Sequence, residues 1–279
     1  MRIAKSLLIG VGLAISAGAY ADSGGAWDKV QNILMGTQDI VVLDGTEKAS
    51  LRYAGQENPD YGDWMVRHML SDPQSFNPYT SSDRGASTVL QYVFDNLLYP
   101  EQEPPYELKG KVAKGYPSIS ADKLSYTFEL RENVHFSDGQ QLTANDVLFS
   151  MKVIQNPRVL APHLRNYYSA VKNVEQEGNY KVTFLCDEPY FRNDVSLGFF
   201  EILPKHFYDP EGLMDPVSVS SLIDGTWENG PHKERVERFA EQFNQNFNRK
   251  VLGSGPYVIE DFERDIVTQQ KVVLTRNAN

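Results

Sequence analysis

The chain has 279 residues, 41% of them apolar, which is enough for a hydrophobic core and for one or two domains. Its 27 basic and 37 acidic residues give a net charge of −10, which argues against nucleic acid as a partner. Cys186 is the only cysteine, so an intramolecular disulfide framework is excluded.

Residues 1–21 have the features of an export signal. Two basic residues precede an apolar run from Leu7 to Ile15, and Ala19–Ala21 has the small-x-small form that signal peptidase cleaves. The run is shorter than the roughly 20 residues that cross a bilayer, so we expect cleavage and no stable membrane insertion. The mature chain would begin at Asp22 with a net charge of −12 and no cysteine there to carry a lipid. The predicted location is the periplasm.

The next part of the chain alternates between weak and strong patterns. Residues 22–63 give no firm pattern beyond a short helix at 26–35, and residues 64–70 are typical of a short buried strand. Residues 71–85, SDPQSFNPYTSSDRG, have the composition of a loop, and loops between firm elements often carry binding residues. One face of a helix predicted to end before Pro100 is then formed by Val89, Leu90, Val93, Phe94, Leu97 and Leu98.

A strand, a turn and a capped helix are predicted between residues 124 and 156. Apolar and polar residues alternate from 124 to 130, which indicates a half-buried strand. Asp138-Gly139 predicts a tight turn, and Thr143 with Asp146 has the form of a helix N-terminal cap. Each acid has this local role, and we expect no second titratable group to be placed beside either, so we interpret both as scaffold.

The remaining elements are less regular. We predict a strand at 180–185, a helix at 189–200, a loop at 213–231 and a hairpin formed by the segments 251–262 and 268–279. Between the last two lies an amphipathic helix whose apolar face contains Val236, Phe239, Ala240, Phe243 and Phe247.

The common catalytic and metal-binding motifs are missing from the sequence. The five histidines are far apart, with no His-x-x-x-His or Cys-x-x-Cys pair, and Gly253-Ser254-Gly255 lacks the spacing of a nucleophile elbow. We therefore predict no metal site, no cofactor and no enzymatic activity. A secreted hydrolase with an acid pair assembled from remote positions stays open as an alternative.

Several segments resemble one known family. YTFELRENVHFSDGQQLTANDVLFSM resembles the signature region of the family 5 extracellular solute-binding proteins, the peptide-binding receptors of ATP-binding cassette (ABC) importers. Shorter segments resemble later or earlier motifs of the same family in the same order: SFNP, VFDNLL, ILPKHFY, LGSGPYVI and LTRNAN.

The resemblance implies a mixed α/β, bilobal fold of the type II periplasmic binding proteins, of which this chain is the first lobe only. The family pattern would continue beyond LTRNAN into a second lobe, so we expect an amino-terminal half of a longer receptor. The implied organisation is an export signal (1–21), a lead-in segment (22–63), the start of a central domain with its loop (64–106), an outer subdomain (107–200) and the continuation of the central domain (201–279).

The implied function is that of a monomeric receptor that captures oligopeptides in the periplasm and delivers them to permease subunits. The resemblance implies that Ser82, Asp83 and Arg84 lie in the loop where peptide receptors contact the peptide backbone. His163, Tyr167 and Tyr168 form a second candidate group, because aromatic rings there can flank the ligand. The alternative is a solvated loop for the first group and packed aromatic side chains for the second. Members of this family also serve nickel complexes, haem and oligosaccharides, so these ligands are the alternatives within the family.

Overall fold

The computed structural model describes residues 66–69, 71–101, 104–268 and 271–278. Met69–Glu101 and Pro105–Asn279 form one compact unit, which carries every element below. The predicted export signal, the lead-in segment and the helix at 26–35 lie outside the described residues. The buried strand predicted at 64–70 is wrong over residues 66–69, because these residues form no strand and Val66 is 55% exposed.

The described elements are short and mixed in type. In chain order they are α1 (Arg84–Val93), β1 (Leu98–Pro100), β2 (Leu108–Gly110), β3 (Ser118–Ile119), β4 (Ser125–Glu129), α2 (Ala144–Gln155), α3 (Pro162–Tyr167), β5 (Val171–Glu177), β6 (Lys181–Cys186), α4 (Asn193–Gly198), α5 (Lys205–Tyr208), α6 (Val219–Asp224), a 3₁₀ helix (Thr226–Asn229), α7 (Lys233–Asn246), β7 (Tyr257–Val258), α8 (Phe262–Asp265), β8 (Ile266–Val267), β9 (Lys271–Val272) and β10 (Thr275–Arg276).

The largest sheet has four strands in the order β3-β4-β6-β5, and all neighbours are antiparallel. The predicted alternation of β4 is confirmed, since Tyr126 and Phe128 are buried whereas Ser125, Thr127 and Glu129 are partly or fully exposed. Phe128 meets Phe184 of β6 edge to face at 5.7 Å between ring centroids. One face of the sheet therefore belongs to the core, and α2 packs against β5 and β6.

Helix α2 begins and ends where the sequence predicts. Gly139 has a φ of +86°, so the turn before the helix uses a conformation that favours glycine. Thr143 is the N-cap and Asp146 lies in the first turn, while Asn156 ends the helix directly before Pro157. Phe149 of α2 packs edge to face on Phe239 of α7, which joins the two helices.

The amphipathic pattern of α7 is confirmed over Lys233–Asn246, with Val236, Phe239, Ala240 and Phe243 buried. The predicted hairpin is confirmed as an antiparallel pair, but its strands β7 and β10 have two residues each. A short helix and a second small pair, β8 with β9, lie between them.

Two helix predictions need correction. Helix α1 ends at Val93. The buried Leu98 belongs to β1, because the pairing of β1 with β2 buries Leu98 just as an extension of the helix would have done. The helix predicted at 189–200 is limited to Asn193–Gly198, since Phe191 before it is 82% exposed and offers no buried face.

The loop predicted at 213–231 contains α6 and a 3₁₀ helix. The Ser218 hydroxyl accepts a hydrogen bond from Ser221 N at the start of α6, and Gly225 ends the helix with a φ of +80°. Helix α6 packs on β5 and α2 through two buried side chains, Val219 and Leu222. The sequence signals for this helix were the capping Ser218 and the terminal Gly225. A helix of six residues is too short to show the helical spacing of apolar residues.

Candidate ligand-binding site

The loop of residues 71–83 is held at a fixed position by a buried asparagine. Asn77 is fully buried, and its Nδ2 donates to the carbonyl of Phe243 at 3.0 Å. Its Oδ1 accepts from Tyr79 N and Thr80 N, both at 3.1 Å. Asn248 accepts a second bond from the loop, from Ser75 Oγ at 2.8 Å. The loop is therefore attached to the end of α7 and is rigid enough to present side chains.

Asp83 ends this loop and caps α1. Its Oδ1 accepts from Gly85 N at 2.7 Å and from Ala86 N at 3.3 Å, and its Oδ2 accepts from Gln74 N at 3.0 Å. The carboxylate thus serves the loop and the helix at once. In the structure both carboxylate oxygens of this predicted site residue are engaged by backbone N–H groups of the loop and of α1.

Ser82 and Arg84 are exposed on either side of that cap. Within the described ranges, neither side chain has a hydrogen bond or an ion pair, although the Arg84 carbonyl accepts from Thr88 Oγ1. A guanidinium that the fold displays on a rigid loop without using it is available to an external ligand. Ligand contact by these residues stays a prediction.

The second predicted group lies on and next to α3. His163 and Tyr167 are exposed, Tyr167 by 74%, whereas Tyr168 is only 5% exposed. The Tyr168 ring packs edge to face on Phe200 at 5.9 Å and lies 6.4 Å from the Tyr167 ring. Tyr168 is therefore a packed core side chain, and His163 with Tyr167 forms the accessible part of the group.

A residue that the sequence analysis did not single out, Glu201, is bonded to the loop of residues 71–83. The Tyr79 hydroxyl donates to the Glu201 carbonyl at 2.5 Å, across 122 residues of sequence. Burial raises the pKa of Tyr168, and the nearby Glu201 carboxylate raises it further. Burial likewise raises the pKa of Tyr79, again with a contribution from Glu201. The half-buried Glu201 thus has its carbonyl bonded to Tyr79 of the loop, and its carboxylate acts on Tyr168 of the second group.

The electrostatic state of Glu201 is itself unusual. Burial raises the pKa of its carboxyl above the usual range for glutamate. No ion pair with Glu201 is found among the residues that the structure describes. Nothing in the sequence distinguishes this acid from the other acidic residues, because its surroundings come from segments distant along the chain.

The segments around α2 and α5, which resemble the family motifs, differ from the exposed residues described above. Their polar groups form hydrogen bonds to one another within the protein. Asp146 Oδ1 accepts from Lys205 N at 2.9 Å, and its Oδ2 accepts from Thr143 N and Thr143 Oγ1. Ser150 Oγ donates to the Asp146 carbonyl and accepts from Leu203 N. Burial raises the pKa of Asp146, although these hydrogen bonds oppose the shift. The network joins α2 to the segment before α5.

Asp138 has a partner that the sequence analysis missed. Its Oδ1 accepts from Gln140 N at 3.0 Å, as the turn prediction requires. Its Oδ2 lies 2.7 Å from His206 Nε2, and the His206 ring packs edge to face on Phe136. The prediction that no titratable group stands beside Asp138 is therefore wrong, because the fold brings together residues 68 positions apart. The turn and α5 are joined by this contact.

Within the described ranges, no group of three or more histidine, cysteine, aspartate or glutamate side chains is arranged so that it could hold a metal ion. Cys186 is buried, and burial raises the pKa of its thiol to about 11. It therefore stays protonated at neutral pH. None of the helices in the described ranges is long and apolar enough to cross a membrane.

The fold and sequence were compared with known proteins. The chain is 26% identical over 223 residues to the periplasmic oligopeptide-binding protein OppA of Salmonella typhimurium, an alignment that covers 76% of this chain and 36% of that protein. The first curated relatives are all longer, and the chain spans between 26% and 36% of their length.

Two solved structures show the same fold over part of their length. One is the ABC transporter-associated periplasmic binding protein DppA from Helicobacter pylori in complex with the peptide STSA, with a TM-score of 0.51, 21% identity and coverage of 75% and 38% of the two chains. The other is MoaA from Agrobacterium tumefaciens in complex with mannopinic acid, with a TM-score of 0.54, 23% identity and coverage of 75% and 36%. The mixed α/β fold is that of the type II periplasmic binding proteins, of which the chain covers a part.

The family model described as bacterial extracellular solute-binding proteins, family 5 middle, matches residues 107–279. This range includes the four-stranded sheet, the bonded segments around α2 and α5, and Glu201. The resemblance of the sequence motifs is thereby confirmed over most of the chain. The chain belongs to the family 5 bacterial extracellular solute-binding proteins.

Proposed function

We propose that the complete protein is the substrate-binding receptor of an ABC importer, which captures oligopeptides in the periplasm and delivers them to the permease. The observation that carries the proposal is the rigid loop of residues 71–83, which displays Ser82 and Arg84 without partners in the described ranges. Relatives named as peptide-binding proteins support this choice of ligand.

The physical reasoning begins with what peptides have in common. Every peptide has the same main chain and charged termini, so a receptor for many sequences relies on hydrogen bonds to these groups. Ser82 offers a hydroxyl, and Arg84 offers a forked guanidinium that fits a carboxylate or a carbonyl. Tyr167 and His163 add exposed rings that can flank side chains of varied shape.

A second wall is needed for high affinity in this proposal. A ligand on one open face keeps most polar groups in water, where each hydrogen bond contributes only about 0.5–1.5 kcal/mol. Association costs at least about 4 kcal/mol in lost freedom. We therefore propose that a further lobe of the complete protein closes over the bound solute by hinge motion and excludes water.

The similarity to MoaA favours one alternative ligand class, a small carboxylate-bearing solute such as an opine. Arg84 would bind the carboxylate of such a solute as readily as that of a peptide. Catalysis has no role in either proposal, so both predict that the solute is released unchanged.

Native mass spectrometry tests the proposal. The protein is expressed from its complete gene, purified from the periplasmic fraction without denaturation, and weighed before and after release of bound solute. We expect the mass excess to correspond to peptides, with intact sequences by tandem mass spectrometry. An opine, sugar or metal complex in their place would overturn the peptide assignment, and truncated peptides that accumulate with time would favour the hydrolase.

A further inference from the structure

The turn between the 3₁₀ helix and α7 contains Asn229-Gly230, the only Asn-Gly pair in the sequence. Asn229 is the last residue of the 3₁₀ helix and is exposed. In the part of the chain that the structure describes, its side chain takes part in no hydrogen bond or ion pair. The Asn229 amide is therefore free to turn toward the main chain of the next residue.

Gly230 presents its main-chain nitrogen to that amide. Glycine has no Cβ atom, so it neither shields its own nitrogen nor restricts rotation of the chain beside it. The Gly230 N–H donates to the Trp227 carbonyl at 3.2 Å, a bond that closes the last turn of the 3₁₀ helix. Helix ends fray, so this bond opens without unfolding the rest of the chain. In the opened turn, the Gly230 nitrogen reaches Cγ of Asn229 through a five-membered ring.

We propose that Asn229 is a modification site, at which the side chain is deamidated spontaneously with water as the co-reactant. Asparagine is one of the thermolabile residues of proteins. Hydroxide removes the Gly230 amide proton, and the nitrogen attacks Cγ of Asn229 to close a succinimide ring. The side-chain nitrogen takes a proton from water and leaves as ammonia. Water then opens the ring, giving aspartate by attack at Cγ or isoaspartate by attack at the main-chain carbonyl.

The two products change the turn in different ways. Both add a negative charge before α7, whose N-cap His232 makes no side-chain cap bond, and a negative charge near a helix N-terminus is favourable. Isoaspartate also adds a carbon atom to the main chain and so alters the bond from Gly230 N to the Trp227 carbonyl. Trp227 is buried and carries the Arg158 guanidinium 5.7 Å from its ring centroid. Aspartate is therefore compatible with the fold, whereas isoaspartate loosens this turn.

Peptide mapping by mass spectrometry on the protein from the complete gene provides the test. The folded protein is incubated at mildly alkaline pH, sampled over time and digested in acid, where the reaction is slow. Deamidation is read from the mass change on replacing the amide by an acid, and chromatography separates aspartate from isoaspartate. Asn133 and Asn179 are internal references, because both are exposed and are followed by Val134 and Tyr180.

Gly230→Ala is the matched control variant. The φ of Gly230 is −87°, and an added Cβ would meet the Thr226 carbonyl oxygen at 3.3 Å, so alanine fits after a small adjustment. Its methyl group shields the attacking nitrogen and leaves Asn229 unchanged. A melting temperature close to that of the wild type shows that this variant is folded.

We expect Asn229 to be deamidated about tenfold faster than either reference asparagine, with isoaspartate among the products, and Gly230→Ala to remove most of this difference. Equal rates at Asn229 and the two reference asparagines in the wild-type protein would overturn the inference. A fast rate at Asn229 that a folded Gly230→Ala retains would also overturn it, because the attack would not depend on glycine. The comparison within the wild-type protein needs no variant, so it decides the question even where Gly230→Ala does not fold.

Discussion

The segments around α2 and α5 differ from the loop before α1 in whether their polar side chains are bonded within the protein. Asp146 and Ser150 each bond to two parts of the chain, and Asp138 bonds to its own turn and lies beside His206. Ser82 and Arg84 have no partner in the part of the chain that the structure describes. The first region holds the fold together, whereas the side chains of Ser82 and Arg84 are not engaged by the described part of the chain.

This difference distinguishes the segment that identifies the family from the residues that are predicted to bind ligand. The segment from Tyr126 to Met151 identifies the family, yet its polar groups are engaged in the protein itself. Hydrogen bonds that are already satisfied contribute to stability, whereas unused charged groups contribute to recognition. We therefore expect changes in the first region to alter the free energy of unfolding and changes in the second to alter ligand affinity.

The largest expected effect is that of Asp146→Ala on stability. The substitution removes the acceptor of Thr143 N and Lys205 N and leaves two partly buried donors without partners. We expect a loss of about 2–3 kcal/mol in the free energy of unfolding, measured by urea titration. Asp146→Asn is the control, since its one oxygen can still accept from Lys205 N, and it should lose less. Equal stability of Asp146→Ala and wild type would contradict the scaffold assignment.

Arg84→Ala should show the reverse behaviour. Loss of a charged hydrogen bond to the ligand should weaken binding by about 1.5–3 kcal/mol, without a matching decrease in melting temperature. Calorimetry of the protein from the complete gene with its identified solute measures the affinity. Lys250→Ala, which changes an exposed charge in the segment after α7, serves as the control. An unchanged dissociation constant for Arg84→Ala would make Arg84 an ordinary surface residue.

Asp138→Ala should have a moderate effect on stability and none on ligand choice. Losing the turn bond to Gln140 N costs on the order of 1 kcal/mol. The His206 contact is partly exposed, with side-chain exposures of 28% and 29%, so its coupling energy should be at most about 1 kcal/mol. A double-mutant cycle with His206→Ala measures that coupling. A variant that melts like wild type and loses its solute would move Asp138 into the binding site.

Glu201→Gln should have the smallest effect on stability, and of opposite sign. Burial raises the pKa of Glu201 in the folded protein, so the stabilisation linked to its protonation is present below the unfolded pKa of about 4.3 and is lost as the pH rises through the folded pKa. Glutamine does not titrate. The variant should therefore be at least as stable as wild type at neutral pH, with the advantage disappearing in acid. Lower stability of the variant at pH 7 would show a structural role for the charge.

The sequence predicted the elements whose pattern is local. The alternation of β4, the glycine turn at 139, the cap of α2 and the apolar face of α7 each depend on residues within about one element of each other. These features were confirmed because short-range sterics and periodic burial determine them.

The features that the sequence did not predict depend on distant residues. Tyr79 reaches Glu201 across 122 positions and Asp138 reaches His206 across 68, so no spacing in the sequence indicates either contact. Helix α6 is too short to show a period, and Leu98 suits a helix face or a strand equally well. The positions of Ser82 and Arg84 were predicted through the family resemblance, and their contact with ligand stays a prediction.

Hydrogen–deuterium exchange on the protein from the complete gene, with and without its identified solute, tests most directly whether the two regions differ in function. We predict that bound solute slows exchange at residues 79–88 and 163–168, which contain the predicted ligand-binding residues. Residues 136–148 should exchange at the same rate in both states, since their polar groups are bonded within the protein. Protection confined to residues 136–148, with none around Arg84 and Tyr167, would contradict the account.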